Sequence, residues 1–282
     1  MTRIDDAVRR ILIVKFALGL FENPLPPDPN AGAVGSEAHR VLAREAVRKS
    51  LVLLKNDNAA LLLAKDTPLI FLAGQAANDI GTQCGGWTIT WQGSDGAITT
   101  GVTLLDGIRA TVSPAAQVQF NRFGKFDAVT GADGKPAIAD VGIVVLAEAP
   151  YAEGVGDRAD LRLSEADAGL IERVRGQSRK LVVILLSGRP LVITEHLAAS
   201  DAFVAAWLPG TEGQGMADVL FGDFPFEGKT PFSWPRSNEQ IPFDFANLPA
   251  AGCAAPLFPF GYGLDASAGG PLILPECPTP TN

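Results

Sequence analysis

Glu153, the second of two glutamates in the glycine-bearing stretch "LAEAPYAEGVGD" from Leu146 to Asp157, is the first candidate for chemistry in this sequence. Glycoside hydrolysis uses a pair of carboxyl groups: one acts as general acid and then base, the other as nucleophile or as base for water. Glu153 suits the first role. A loop carrying Tyr151 and glycines can partly desolvate a glutamate and raise its pKa, as an acid catalyst requires. Residue type alone favours a plainer reading, a solvated loop carboxylate. Local chemistry does not overturn it.

A second unusual segment, "NDIGTQCGGWTITWQGSDG" (residues 78–96), sets Trp87 and Trp91 among glycines and polar residues. Flat indole faces stack on the apolar faces of pyranose rings, and they also serve to cover the edge of a core. Composition leaves both uses open. A serine hydrolase is excluded by the lack of a G-x-S-x-G elbow, with only His39 and His196 to act as base. "GTEGQG" (210–215) lacks the P-loop lysine and departs from G-x-G-x-x-G, so its glycines are better explained by tight packing of a βα turn. Cys84, Cys253 and Cys277 show no C-x-x-C spacing, and two histidines add little, so neither a metal site nor a cofactor is expected. One disulfide stays open.

These residues need a scaffold, and the rest of the chain describes one. The 282 residues are 47% hydrophobic and 19% charged, the balance of a globular protein with a sizeable core. A net charge of -8 argues against a nucleic-acid partner, and no apolar run reaches the length of a membrane span. The first 21 residues mix Arg3, Asp5, Asp6, Arg9, Arg10 and Lys15 into their apolar positions, unlike a signal peptide. The compartment is left unassigned.

Ile4, Val8, Ile11, Leu12 and Phe16 fall at helical spacing up to Gly19, and a proline- and glycine-rich linker follows. A second helix is expected from Ser36 through "EAHRVLAREAVRKSLVLLKN". Continuous apolar runs then alternate with helical segments: Leu69–Gly74, Ala116–Phe120, Val141–Ala147, Leu181–Gly188 and Ala202–Gly210. Unbroken runs suit strands covered on both faces of a mostly parallel sheet. "LSEADAGLIERVR" opens with Ser164 and carries Asp167 three residues on, close to a capping box. The pattern predicts an open, doubly wound α/β domain, in which ligands meet the loops after the strands. Glu153 lies on one of those loops.

Taken together, these segments resemble glycoside hydrolase family 3, the exo-β-glucanase and β-glucosidase family. "RIDDAVRRILIVKFALGLFENP", "EAHRVLAREAVRKSLVLLKN", "CGGWTITWQG", "PYAEGVGD", "SGRPLVI", "AAWLPGTEGQGMADVLFGDFPFEGKTPFSWP" and "PLFPFGYGL" stand in the family's order and cover nearly the whole chain. The resemblance implies a six-stranded, mostly parallel α/β sandwich with helices on both faces over residues 38–265. Residues 1–21 would be the terminal helix of a TIM-barrel domain that is missing here, 22–37 a linker and 266–282 a flexible tail. It implies that Glu153, in the "PY-x-E" loop, is the catalytic acid/base. It implies that Trp91 stacks on substrate, with Trp87 as the alternative ring. The family's nucleophile is a barrel aspartate in a Ser-Asp-Trp context. Ser94-Asp95 and Ser200-Asp201 are followed by Gly96 and Ala202, so neither is assigned that role.

The expectation is therefore the C-terminal domain of a retaining β-glycosidase acting on a β-glucoside or β-glucan oligosaccharide. It would be inactive alone and would need a TIM-barrel domain or chain as partner. The alternative is a non-catalytic sugar-binding or interaction module of the same fold.

Overall fold

The computed structural model describes residues 1–25, 32–267, 271–275 and 277. They fall into two units, Met1–Val41 and a larger one from Leu42 onward. In the first, helix α1 (Thr2–Ala17) runs to Leu18 and Gly19, where Gly19 adopts a left-handed φ of 65°. None of its residues is buried, and Ile4, Ile11 and Phe16 stay exposed. Residues 26–31 of the proline-rich stretch lie outside the described residues.

Helix α2 (Glu37–Ser50) leads into the larger unit. There β1 (Val52–Asn56), β2 (Leu69–Ala73), α3 (Ile80–Cys84), α4 (Leu104–Thr111), β3 (Gln117–Asn121), β4 (Ala139–Ala147), α5 (Glu165–Arg175), β5 (Ser178–Leu186), β6 (Ala202–Ala205) and α6 (Gly213–Leu220) follow in order. The strands form one six-stranded sheet in the order β1-β6-β5-β4-β2-β3. All neighbours are parallel except β1, which runs antiparallel to β6 at one edge. This is the mostly parallel sheet that the apolar runs predict.

Burial on both faces explains why those runs are unbroken, while the pleat still sorts alternate side chains to opposite layers. Ile70, Leu72, Ile143 and Val145 join a core with Leu104 and Ile108 of α4 and Met216 and Leu220 of α6. Phe71, Ala73, Val144 and Leu146 join the opposite core with Leu170, Ile171 and Val174 of α5. Helix α5 begins with the expected capping box, in which the Ser164 hydroxyl accepts the Asp167 N–H while the Asp167 carboxylate accepts the Ser164 N–H. Two of the three glycines of 210–215 pack as expected, a Cβ on Gly213 meeting the Val102 carbonyl oxygen at 2.5 Å and one on Gly215 the Val47 side chain at 2.9 Å, whereas Gly210 has open space and a left-handed φ of 62°.

One expected helix is wrong at its end. The sequence pattern carries the second helix through "SLVLLKN", but the helix stops at Ser50 and Val52–Asn56 is strand β1. The physical reason is a change of period. Leu51 and Leu53 enter one core while Val52 and Leu54 enter the other, and all four are buried. Strand β6 is also shorter than its apolar run, ending at Ala205 before Trp207, which has a φ of 53°. In the expected loose tail, Leu272 and Leu274 pack against the core and Cys277 forms a disulfide with Cys253. Residues 268–270, 276 and 278–282 of that tail lie outside the described residues.

Strand order reverses between β2 and β4, so the loops leaving their carboxyl ends flank the crevice where ligands bind in open α/β sheets. Both candidate stretches are those loops.

Candidate functional site

The loop after β4 is organised by its first glutamate. Glu148 accepts the Tyr151 hydroxyl at 2.9 Å and Arg189 Nη2–H at 2.7 Å, with Arg189 Nε at 3.1 Å. Arg158 adds an ion pair at 3.2 Å. Arg189 also donates from Nη1 to the Gly156 carbonyl at 2.7 Å, and its guanidinium lies 4.5 Å from the centre of the Tyr151 ring. These contacts close residues 148–156 into a turn anchored on the chain after β5. Burial, together with the charge of Glu148, pushes the Tyr151 phenol up to about 12. The two glutamates of this stretch therefore have different environments, and Glu148 is the structural one.

The loop 79–96 is closed by Asp79. Its carboxylate accepts the Thr82 N–H at the start of α3 and the Gly96 N–H at the far end of the loop, each at 2.8 Å. Burial opposes ionisation of Asp79, but these amide hydrogen bonds outweigh it and its pKa is lowered. Inside the loop, Trp87 and Ile89 take left-handed φ values of 61° and 64°, and Trp87 N–H donates to the Trp91 carbonyl at 2.9 Å. Non-glycine residues seldom adopt that region. The two loops touch at Gly86, where any Cβ would lie 2.0 Å from the Tyr151 carbonyl oxygen. Only glycine permits that approach.

The contact brings the candidates together. Trp91 donates its indole N–H to Glu153 Oε2 at 2.7 Å. Gln92, the next residue, accepts the Ala152 N–H at 2.8 Å and donates to the Glu153 carbonyl at 3.3 Å. Trp87 stands beside Trp91, ring centres 6.3 Å apart and planes tilted by 51°. Trp87 is 69% exposed and Trp91 55%, so neither indole covers a core.

Glu153 is itself exposed. It has the solvated setting that residue type favours, not the desolvated, raised one an acid catalyst requires: the Trp91 indole N–H stabilises the ionised form and holds the pKa below its ordinary value. A cleft of about 700 Å³ at the β2–β4 reversal includes Gln75, Asp95, Arg122 and Glu148 in its wall, but not Glu153 or either tryptophan.

The remaining carboxylates considered from the sequence have local roles. Asp201 accepts the Leu181 N–H at 2.7 Å and pairs with Arg175. Asp95 faces the Gln75 carboxamide at 3.3 Å. His39 is exposed on α2, and His196 sits on a single 3-10 turn, Thr194–His196. Among the described residues there is no cluster of three or more His, Cys, Asp or Glu able to hold a metal. Glu148, Arg189 and Gln92 were not singled out by sequence. Arg189 stands in "SGRPLVI" on a neighbouring strand's exit loop and Gln92 directly follows Trp91, and those positions were the available signals.

The match to the glycosyl hydrolase family 3 C-terminal domain extends over residues 51–266, and the chain belongs to that family. It is 34% identical over 280 residues to a lysosomal beta glucosidase of Dictyostelium discoideum, covering 93% of this chain and 34% of that protein. It is 31% identical to a periplasmic beta-glucosidase of Salmonella typhimurium, covering 94% and 40% respectively. Among solved structures, an exo-1,3/1,4-beta-glucanase mutant from a Pseudoalteromonas species superposes with a TM-score of 0.85 at 36% identity, over 100% of this chain and 46% of the other. The chain thus spans a third to under half the length of these relatives.

Proposed function

We propose, from the chain's place in glycosyl hydrolase family 3, that it works as the C-terminal α/β domain of a retaining β-glycosidase acting on β-glucosides or β-glucan oligosaccharides. Glu153 is its acid/base and Trp91 its substrate-stacking ring, with Trp87 beside it. The observation that carries this reading is the exposed Trp91–Glu153 pair on two interlocked loops at the carboxyl ends of the strands. A carboxyl group next to an exposed indole face can protonate a glycosidic oxygen of a sugar stacked on that face.

The second carboxyl of a retaining pair stands ~5–5.5 Å from the first. In this proposal it comes from a TIM-barrel domain or chain that covers Glu153 and against which the apolar residues of α1 pack. The test is hydrolysis of an aryl β-glucoside by the purified chain, alone and combined with a family 3 barrel. No turnover alone, turnover on combination, its loss in Glu153→Ala and its recovery with azide are expected. Turnover that survives Glu153→Gln rules the assignment out.

Two exposed indoles also favour a second reading, a sugar-binding module without catalysis. Tryptophan fluorescence titrated with glucose or laminaribiose separates the two. Saturable binding by the chain alone supports the module, and a response that appears only with the barrel supports the enzyme.

A further inference from the structure

We infer that Gln92 is the positioning residue for Glu153, fixing the backbone on which that carboxylate is mounted. This rests on the acid/base reading above. The Gln92 carboxamide brackets the Ala152–Glu153 dipeptide: Oε1 accepts the Ala152 N–H at 2.8 Å and Nε2 donates to the Glu153 carbonyl at 3.3 Å. The same carbonyl takes the Val155 N–H at 3.0 Å, so both of its lone pairs are used. Bridging an N–H and a C=O at once requires a side chain that accepts and donates. A carboxylate only accepts, while ammonium and guanidinium groups only donate. Glutamine has both functions and the reach.

Neighbouring residues make the arrangement specific. Trp91 grips the carboxylate of Glu153 while Gln92 grips its main chain, so consecutive residues of one loop set both. The loops cannot slide past each other, because Gly86 abuts the Tyr151 carbonyl on one side and Gly93 abuts Pro150 on the other. An exposed glutamate on an unheld loop would sample several rotamers and backbone positions, and a misplacement of about 1 Å can cost ~10²-fold in rate. Ala152 is buried and supplies no polar side chain, so its N–H is a fixed handle for the Gln92 oxygen.

The experiment uses the uniformly ¹⁵N-labelled chain and follows its four tryptophan indole N–H signals against pH. The Trp91 signal should titrate with the Glu153 carboxyl and stop doing so in Glu153→Gln. Trp234, buried with its indole N–H on the Leu191 carbonyl at 2.7 Å, reports whether the fold is intact. In Gln92→Ala and in the bulkier Gln92→Met, the Trp91 titration should lose at least about half its amplitude, as expected when a bond's geometry is no longer held, while Trp234 stays in place. Gln92→Glu keeps the acceptor, loses the donor and adds a negative charge beside Glu153, so its midpoint should move up.

Titrations of Gln92→Ala and Gln92→Met that superimpose on the unaltered chain would overturn the inference, as would a Trp91 signal indifferent to Glu153. The acid/base reading fails separately. Absence of azide rescue in Glu153→Ala would remove the catalytic role and leave the titrations unchanged. Altered titrations with intact rescue support both.

Discussion

Replacing Arg189 by methionine isolates the charge that organises the Glu153 loop, because methionine keeps most of the stem. The substitution removes the two-pronged contact to Glu148, the bond to the Gly156 carbonyl and the cation over the Tyr151 ring. A hydrogen bond to a charged group contributes ~1.5–3 kcal/mol, and a cation over a ring near the surface about 0.5–1 kcal/mol. The side chains of Arg189 and Glu148 are 24% and 10% exposed, so solvent screening takes only a modest share. The Tyr151 hydroxyl and Arg158 remain on Glu148, which keeps the loss below the full penalty of an unpaired buried charge. The net destabilisation is then about 3 kcal/mol, or a fall in Tm of about 9 °C for a unit of this size. Circular-dichroism melts of Arg189→Met, Glu148→Gln and the double variant measure it, and coupling of at least about 1 kcal/mol should appear between the two sites. A fall below about 2 °C, or strictly additive losses, would refute the clamp.

The other expectations concern the same loops and the cysteines. Gly86→Ala forces a methyl group toward a backbone oxygen 2.0 Å away, so it should lower Tm and open the 79–96 loop to limited proteolysis. Tyr151, raised from 10.0 to about 12, contributes stability that is complete below pH 10 and is lost as pH rises toward 12. Tyr151→Phe should flatten that alkaline loss in melts taken across the same window. Ellman's reagent in denaturant should find one thiol per chain before reduction and three after, because Cys253 and Cys277 are paired. Burial pushes the Cys84 thiol up, so it should react slowly in the native protein.

Much of the fold was legible because parallel strands covered on both faces leave unbroken apolar runs, as in Leu69–Ala73 and Leu181–Leu186. The start of α5 was legible because a capping box is a local signal, complete within four residues. Strand β1 was not, since "SLVLLKN" follows a helix with no glycine or proline between. Its strand character rests on pairing with β6, nearly 150 residues later in the chain. Glu153 became a candidate through the order of motifs around it. Its electrostatic setting was hidden because Trp91, the residue that sets it, lies 62 positions away. The split in role between Glu148 and Glu153 was hidden for the same reason, because Arg189 is 41 positions from Glu148. Side-chain type gives the chemistry available, whereas the partner that tunes it is a property of the fold.

That tuning bears on how the proposed acid works. A general acid should keep its proton near the working pH, which for a glutamate means a raised pKa. In this chain Glu153 moves the opposite way: it is exposed, and the indole N–H of Trp91 favours its ionised form. Two changes raise a carboxyl group, loss of water around it and a second negative charge nearby. A barrel closing over the loops would bring both, through a dry pocket and a nucleophilic carboxylate ~5–5.5 Å away. On this reading the Trp91 contact aims the side chain while the covering surface charges it with a proton. The carboxyl ¹³C signal of Glu153, identified by its loss in Glu153→Gln, should titrate below the ordinary 4.5 in the free chain. It should move up when a barrel partner and a sugar are added. An identical midpoint in both states would mean that the partner does not tune Glu153, and the acid role would then have to be given up.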